Sequence, residues 1–171
     1  MSSKSRSALV AGAVIAACAL MPIQPAAADS TVKVDSNCDF QNCTSGDLDL
    51  HYNSIENDGY YSGVASFYGN IPSYYGQDVS PNGAVVVHYL YVFGNNVVGE
   101  KASGTGLGVK NAAASVENCA QYDSYRVYYN SSYQGASQYF ADTQGSLYCA
   151  GGKIANLNST LKNQNASQHF A

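Results

Sequence analysis

The sequence predicts an all-β chain, and three observations carry that prediction. Strong helix formers are scarce: charged residues make up 12% of the 171 residues, Glu occurs three times, and polarity comes from Asn, Ser, Gly and 15 Tyr. That charge fraction is about half the roughly 25% usual for soluble domains. Apolar residues also alternate with polar ones at period two, as at Leu48, Leu50 and Tyr52 and again at Tyr125, Val127 and Tyr129. Such alternation puts one strand face in a core and the other in water. Finally, Gly59, Gly63, Gly69, Gly76 and Gly83 punctuate the chain, and no segment keeps an apolar face at helical spacing for three turns. Hydrophobic residues at 46% supply enough apolar surface for a core and argue against disorder. A net charge of −4 argues against a nucleic-acid partner held by phosphate neutralisation.

The elements follow in order. Residues 1–28 read as a signal peptide: Lys4 and Arg6 precede an apolar run from Ala8 to Met21, which ends in Ala26-Ala27-Ala28 before Asp29. The apolar run is too short for a stable membrane span. Ile15-Ala16-Ala17-Cys18 offers a competing lipobox reading, with a lipid-modified Cys18 as the mature N-terminus. Residues 29–37 lack a core pattern and are expected as a flexible tail, and 38–171 form the domain. Short strands are expected at 48–52, 64–68, 125–129 and 138–141. Residues 84–93 form an almost continuous apolar run and predict one long strand, stopped by Gly94-Asn95-Asn96. A short helical turn is expected near 153–157.

The chain repeats itself. Leu50-His51-Tyr52-Asn53-Ser54 matches Val127-Tyr128-Tyr129-Asn130-Ser131, 77 positions on, and 109–115 matches 161–167, 52 positions on. Two separated matches in the same order indicate duplication. Motif one is then 38–118, carrying an insertion at about 71–96, and motif two is 119–171.

Without Cys18, four cysteines remain: Cys38, Cys43, Cys119 and Cys149. An even count in an exported chain reads as two disulfides, with three possible connectivities. Cys38–Cys43 with Cys119–Cys149 is the expected pairing, because each pair lies on its own side of the centre. Zinc-knuckle spacing is absent and only three His occur, so no metal and no cofactor is expected.

Tyr128 to Gly135 reads aromatic, four residues, aromatic, one residue, Gly. This resembles the folded-hairpin signature of βγ-crystallin Greek-key motifs. There a Gly takes a backbone angle closed to other residues, an aromatic ring covers the fold, and a later Ser satisfies its backbone groups. Tyr128, Tyr133, Gly135 and Ser167 would fill these roles in the second motif. Tyr61, Gly63 and Ser115 would fill them in the first, where residues 55–60 interrupt the pattern. The layout as a whole resembles the small secreted actinomycete βγ-crystallin-like proteins grouped with the Streptomyces metalloproteinase inhibitor (peptidase inhibitor family thirty-six). The resemblance runs from about Cys38 to Phe170. It implies a Greek-key sandwich of about eight strands built from two repeated motifs.

Many microbial βγ-crystallin domains bind calcium, yet here Lys110 and Lys162 stand at a ligand position and Ala114 and Ala166 at a hydroxyl position. A calcium ion needs six to eight oxygens, so these loops are expected as hairpin closures only. Catalysis is not expected. His51 lies on the outward side of its strand, His88 interrupts an apolar strand, His169 is near the C-terminus, and none neighbours a nucleophile. Asp47 and Asp49 read as a solvated strand edge. Gly104-Thr105-Gly106-Leu107-Gly108 precedes no helix and so is not a phosphate loop.

The resemblance implies a secreted inhibitor of extracellular metallopeptidases, with a secreted protease as partner. The alternative is a non-enzymatic envelope or matrix protein that binds glycan or protein through Tyr-rich surfaces. Two rigid segments suit inhibition: the loop closed by Cys38 and Cys43, with Phe40 as anchor, and Leu147-Tyr148-Cys149. Tyr74 and Tyr75, beside Pro72 and Gly76, are the further candidate binding residues.

Overall fold

A computed structural model describes residues 29–81, 83, 85–144, 149 and 154–171. The leader assigned to residues 1–28, together with Leu147, Tyr148 and Lys153, lies outside the described residues. The chain is all-β. Its strands are β1 (Ser30–Val34), β2 (Leu48–His51), β3 (Val64–Phe67), β4 (Gly76–Val79), β5 (Val87–Tyr91), β6 (Ser115–Asn118), β7 (Tyr125–Asn130), β8 (Gln134–Phe140), β9 (Ile154–Asn156) and β10 (Ser167–Phe170).

Three sheets result, ordered β3-β2-β6-β9, β10-β7-β8 and β1-β5-β4. The β1–β5 pair is parallel and the other strand pairs are antiparallel. The β3-β2-β6-β9 and β10-β7-β8 sheets exchange chain. β9, from the second half, pairs with β6, and Ile71, from the first half, bridges antiparallel to Gln168 of β10. One core joins all three sheets. Leu48, Leu50, Phe67 and Val116 meet Tyr125, Val127 and Phe140, with Tyr91 and Phe93 beside them. Period two is kept at Leu48 and Leu50, which face this core from β2, and at Tyr125 and Val127 of β7, but Tyr129, the third residue of that alternation, is exposed beside the register shift at Tyr128–Asn130.

Several expectations are corrected. Residues 29–37 are no loose tail: β1 pairs with β5, buries Val34, and runs into the 3-10 turn Asn37–Asp39. The backbone supplies this order, with Val92 N–H donating to Val34 O and Ser66 N–H to Asp35 O. The long strand expected over 84–93 is shorter, Val87–Tyr91, because Val92 turns to bridge Gly108. Where a helical turn was expected, β9 extends the first sheet. β2 is no edge either, since it lies between β3 and β6.

The cysteines pair as Cys38–Cys43 and Cys119–Cys149, with Cα atoms 5.0 and 4.7 Å apart. Two bridges suit an oxidising compartment. Among the described residues no helix is long and apolar enough to cross a membrane.

Candidate functional site

The repeat places equivalent residues in equivalent bonds. Ser115 Oγ donates to Asn53 O and Ser167 Oγ to Asn130 O, each at 2.7 Å. Ala114 N–H donates to His51 O and Ala166 N–H to Tyr128 O, each at 2.9 Å. The halves also bond reciprocally, Asn111 N–H to Asn165 O at 2.7 Å and Asn163 N–H to Ala113 O at 2.9 Å. Asn111 and Asn163 both take the left-handed conformation, with φ of 62° and 57°, which Asn tolerates better than most residues.

Two clefts flank this pseudo-symmetric seam. One is lined by Tyr52, Asn53, Ser54, Asn111 and Lys162. Its counterpart is lined by Tyr129, Asn130, Ser131, Gln164 and Lys110. Each half thus contributes a lysine to the other half's cleft, beside amide and hydroxyl oxygens that would otherwise suit a hard cation.

The hairpin closures differ. In the second half Gly135 takes φ +82°, and Ser132 and Tyr133 are also left-handed. Tyr133 N–H donates to Ser167 Oγ at 3.1 Å. The Tyr133 ring lies 4.9 Å from His169 and 6.1 Å from Tyr128. In the first half Gly63 is not left-handed. A Cβ in its place would meet Thr105 N, Gly94 O and Phe93 Cβ at 3.0–3.1 Å. Tyr61 is 56% exposed and covers little. Ser62 closes the turn, accepting from Asn53 N–H at 3.0 Å and donating to Gly59 O at 2.7 Å. A side chain on Gly59 would run into Asn53 O and Ser115 Oγ. Gly59 is therefore the close-approach glycine of this half, displaced from the sequence pattern by the interruption at 55–60.

The insertion supplies β4 and β5 of the β1-β5-β4 sheet. Phe40, from the Cys38–Cys43 loop, stacks on Tyr89 with ring centroids 4.0 Å apart and is half-buried. Its ring pins that loop to the sheet instead of standing free. Tyr74 is buried, and its hydroxyl donates to Gln168 Oε1 at 3.1 Å. Tyr75 points outward and is 67% exposed. Two shallow concavities, of about 390 and 240 Å³, meet at Tyr75 and Leu90, which line both. Lys33 and Lys110 line one. Asp78 and His88 line the other, with His88 Nδ1 2.7 Å from Asp78 Oδ1. Tyr148 lies outside the described residues.

A second cluster lies on the far side of β2. His51 does face away from Leu48 and Leu50, but that side is covered and the residue has no exposed surface. The Tyr60 ring sits 6.1 Å away. Burial pushes the His51 imidazole down to about 4. Asp49 is cross-strand to Glu117 and is not solvated as a sheet edge would be. Burial lifts its carboxyl to about 6, a hydrogen bond from Ser66 opposes the rise, and the Glu117 and Asp47 charges add to it. Asp47 is also raised by burial, although the Tyr125 hydroxyl donates to it at 3.2 Å. Sequence reading missed this cluster, because period two shows which side chains share a face but not what later covers it.

Compared with known proteins, the chain matches no family model, no curated protein and no solved structure.

Proposed function

We propose that the chain is a secreted, non-enzymatic binding protein of βγ-crystallin type that engages another protein through the Tyr75 face of its β1-β5-β4 sheet. Inhibition of an extracellular metallopeptidase is the activity its resemblance implies. The single observation that carries the binding face is its asymmetry. The two halves share the serine bonds that close their repeated units, whereas β4 and β5 belong to the first half alone. Function is commonly grafted onto a scaffold in this way, on segments the scaffold does not need. At the centre of the added face stands Tyr75, exposed between two concavities. A large, stiff, amphipathic side chain with pockets on either side is the usual anchor of a protein interface. The crystallin reading is supported by the twin closures at Ser115 and Ser167 and by the exchange of β9 and Ile71 between sheets.

The test titrates a thermolysin-type enzyme with the mature protein and with Tyr75→Ala. Stoichiometric inhibition by wild type, weakened at least tenfold in the variant, supports the inhibitor reading. No inhibition, with Tyr75-dependent capture of a protein from spent culture medium, supports the alternative of an envelope or matrix binder. Inhibition or capture that is indifferent to Tyr75→Ala overturns the assigned face.

A further inference from the structure

The outer side of the β3-β2-β6-β9 sheet collects groups that packing alone does not call for. Asp49 of β2 and Glu117 of β6 are cross-strand partners, and the Cys119–Cys149 bridge lies beside them. The side-chain ligand atoms of these four residues all fall within 4.8 Å of one another. Cys119 Sγ and Cys149 Sγ lie 3.6 and 3.9 Å from the same oxygen, Asp49 Oδ2. His51 backs this group. It is fully buried, neither ring nitrogen has a hydrogen-bond partner, and its Nε2 is 4.0 Å from Glu117 Oε2. An imidazole that gives up water and gains no partner costs free energy, so its place behind a carboxylate needs a reason beyond packing.

We propose that Cys119, Cys149, Asp49 and Glu117 form a zinc(II) site that the disulfide masks, with His51 as a positioning residue for the Glu117 carboxylate. A dithiol reductant opens the site. It gives two electrons to the S–S bond, the bond breaks, the two sulfurs take up two protons, and the reductant becomes a disulfide. Zinc then replaces those two protons, which pass to water. Two thiolates and two carboxylates complete four-coordination, and the His51 N–H donates to the Glu117 oxygen that faces it.

The geometry is near what zinc requires. With Zn–S of about 2.3 Å and Zn–O of about 2.0–2.2 Å, the edges of a tetrahedral site are roughly 3.3–3.8 Å. The two S···O separations already lie close to that range. The sulfurs must part, which side-chain rotation allows with Cα atoms 4.7 Å apart, and any ligand pair near the 4.8 Å limit must close by about 1 Å. Thiolates and four-coordination favour zinc over calcium or magnesium. Cys149 is exposed, so a reductant can reach it.

The experiment uses the mature chain carrying Cys38→Ser and Cys43→Ser, which removes the other source of thiols. A phosphine reductant, converted to its oxide with an oxygen from water, opens the bridge without adding competing thiols. Cobalt(II) then serves as the spectroscopic probe and zinc as its competitor. The reduced protein should bind one cobalt per chain, with a thiolate-to-cobalt charge-transfer band and the visible bands of a tetrahedral ion. Zinc should bleach both, and the oxidised protein should show neither. Asp49→Asn and Glu117→Gln should each weaken zinc binding tenfold or more. His51→Gln should weaken it about 10–100-fold while the charge-transfer band stays in place. Absence of the band in the reduced protein, or full zinc affinity in Asp49→Asn and Glu117→Gln, would overturn the site. So would loss of the β-sheet circular dichroism on reduction, because the site needs β2 and β6 in register.

Discussion

Ser115 Oγ donates to the backbone carbonyl of Asn53 at 2.7 Å, and Ser167 Oγ repeats that bond to Asn130 at the same distance. The partners are separated by 62 residues in the first half and 37 in the second. The same local closure is therefore reached over very different intervening chain, so the bond belongs to the repeated unit and not to the connection. Both serines are buried.

Removing either hydroxyl should destabilise the protein. Ser115→Ala leaves the part-buried Asn53 carbonyl with one bond fewer, at a cost of about 0.5–1.5 kcal/mol. Ser167→Ala should cost more, because Ser167 Oγ also accepts from Tyr133 N–H. Urea unfolding of the two single variants and the double variant reads the effect. Equal and negligible losses would show that the closure does not depend on these bonds.

Calcium should leave the melting temperature unchanged. Lys162 lines the first-half cleft and Lys110 the second, so each cleft already carries a cation among its oxygens. Ligand at 100 times its dissociation constant would add about 2.7 kcal/mol. Thermal unfolding with millimolar calcium and then with EDTA makes the comparison. An upward shift that EDTA reverses would contradict the reading of both clefts.

Asp49 and His51 should pull stability in opposite directions with pH. Asp49 has its folded value raised to about 6, against about 3.9 unfolded. The folded state therefore binds more protons across that interval, and this contribution falls as pH rises from about 4 to 6. His51 is lowered to about 4, against about 6.5 unfolded. Here the unfolded state binds more protons, and the contribution grows as pH rises from about 4 to 6.5. Relative to wild type, His51→Gln should lose stability with rising pH, and Asp49→Asn should gain it. Each difference is bounded by about 1.4 kcal/mol per pH unit. Denaturant unfolding between pH 4 and 7, with the disulfides oxidised and a chelator present, tests the signs. Parallel curves for all three proteins would sink the argument.

Local pattern carried part of the fold and little of the sites. The alternation at Leu48–Leu50 and Tyr125–Val127 is a property of single strands, and the repeat of Asn53-Ser54 at Asn130-Ser131 is a property of the unit, so both are legible in one sequence. β1 was not legible, because its order comes from backbone bonds to β5, more than fifty residues away. Neighbours Tyr74 and Tyr75 look equivalent in sequence, yet one is buried against Gln168 and the other is exposed. Both are central residues of the turn that Gly76 N–H closes on Ser73 O, and which of them meets the core is decided by β10. His51 and Asp49 alternate with the core leucines as solvent-facing residues would. What covers them comes from elsewhere in the chain, so no local signal marks them as buried.

Phe40 and Tyr75 should divide stability from binding. The Phe40 ring stacks on Tyr89 at 4.0 Å and lies 6.3 Å from Tyr91, closing one side of the β1-β5-β4 sheet. To enter a protease pocket it would have to leave those rings, and the loop would lose the contact that keeps it rigid. Phe40→Ala should therefore cost about 2–3 kcal/mol, a half-buried share of the usual buried Phe truncation plus the stacking. Tyr75 is 67% exposed, so Tyr75→Ala should change stability by no more than about 0.5 kcal/mol. If the inhibitor reading holds, inhibition should follow the reverse order. Tyr75→Ala would lose it at unchanged stability, while Phe40→Ala would retain it at temperatures where that variant stays folded. Parallel melting curves and inhibition titrations on the two variants decide the point. A Phe40→Ala protein that melts like wild type and no longer inhibits would return the contact to the Cys38–Cys43 loop and remove it from Tyr75.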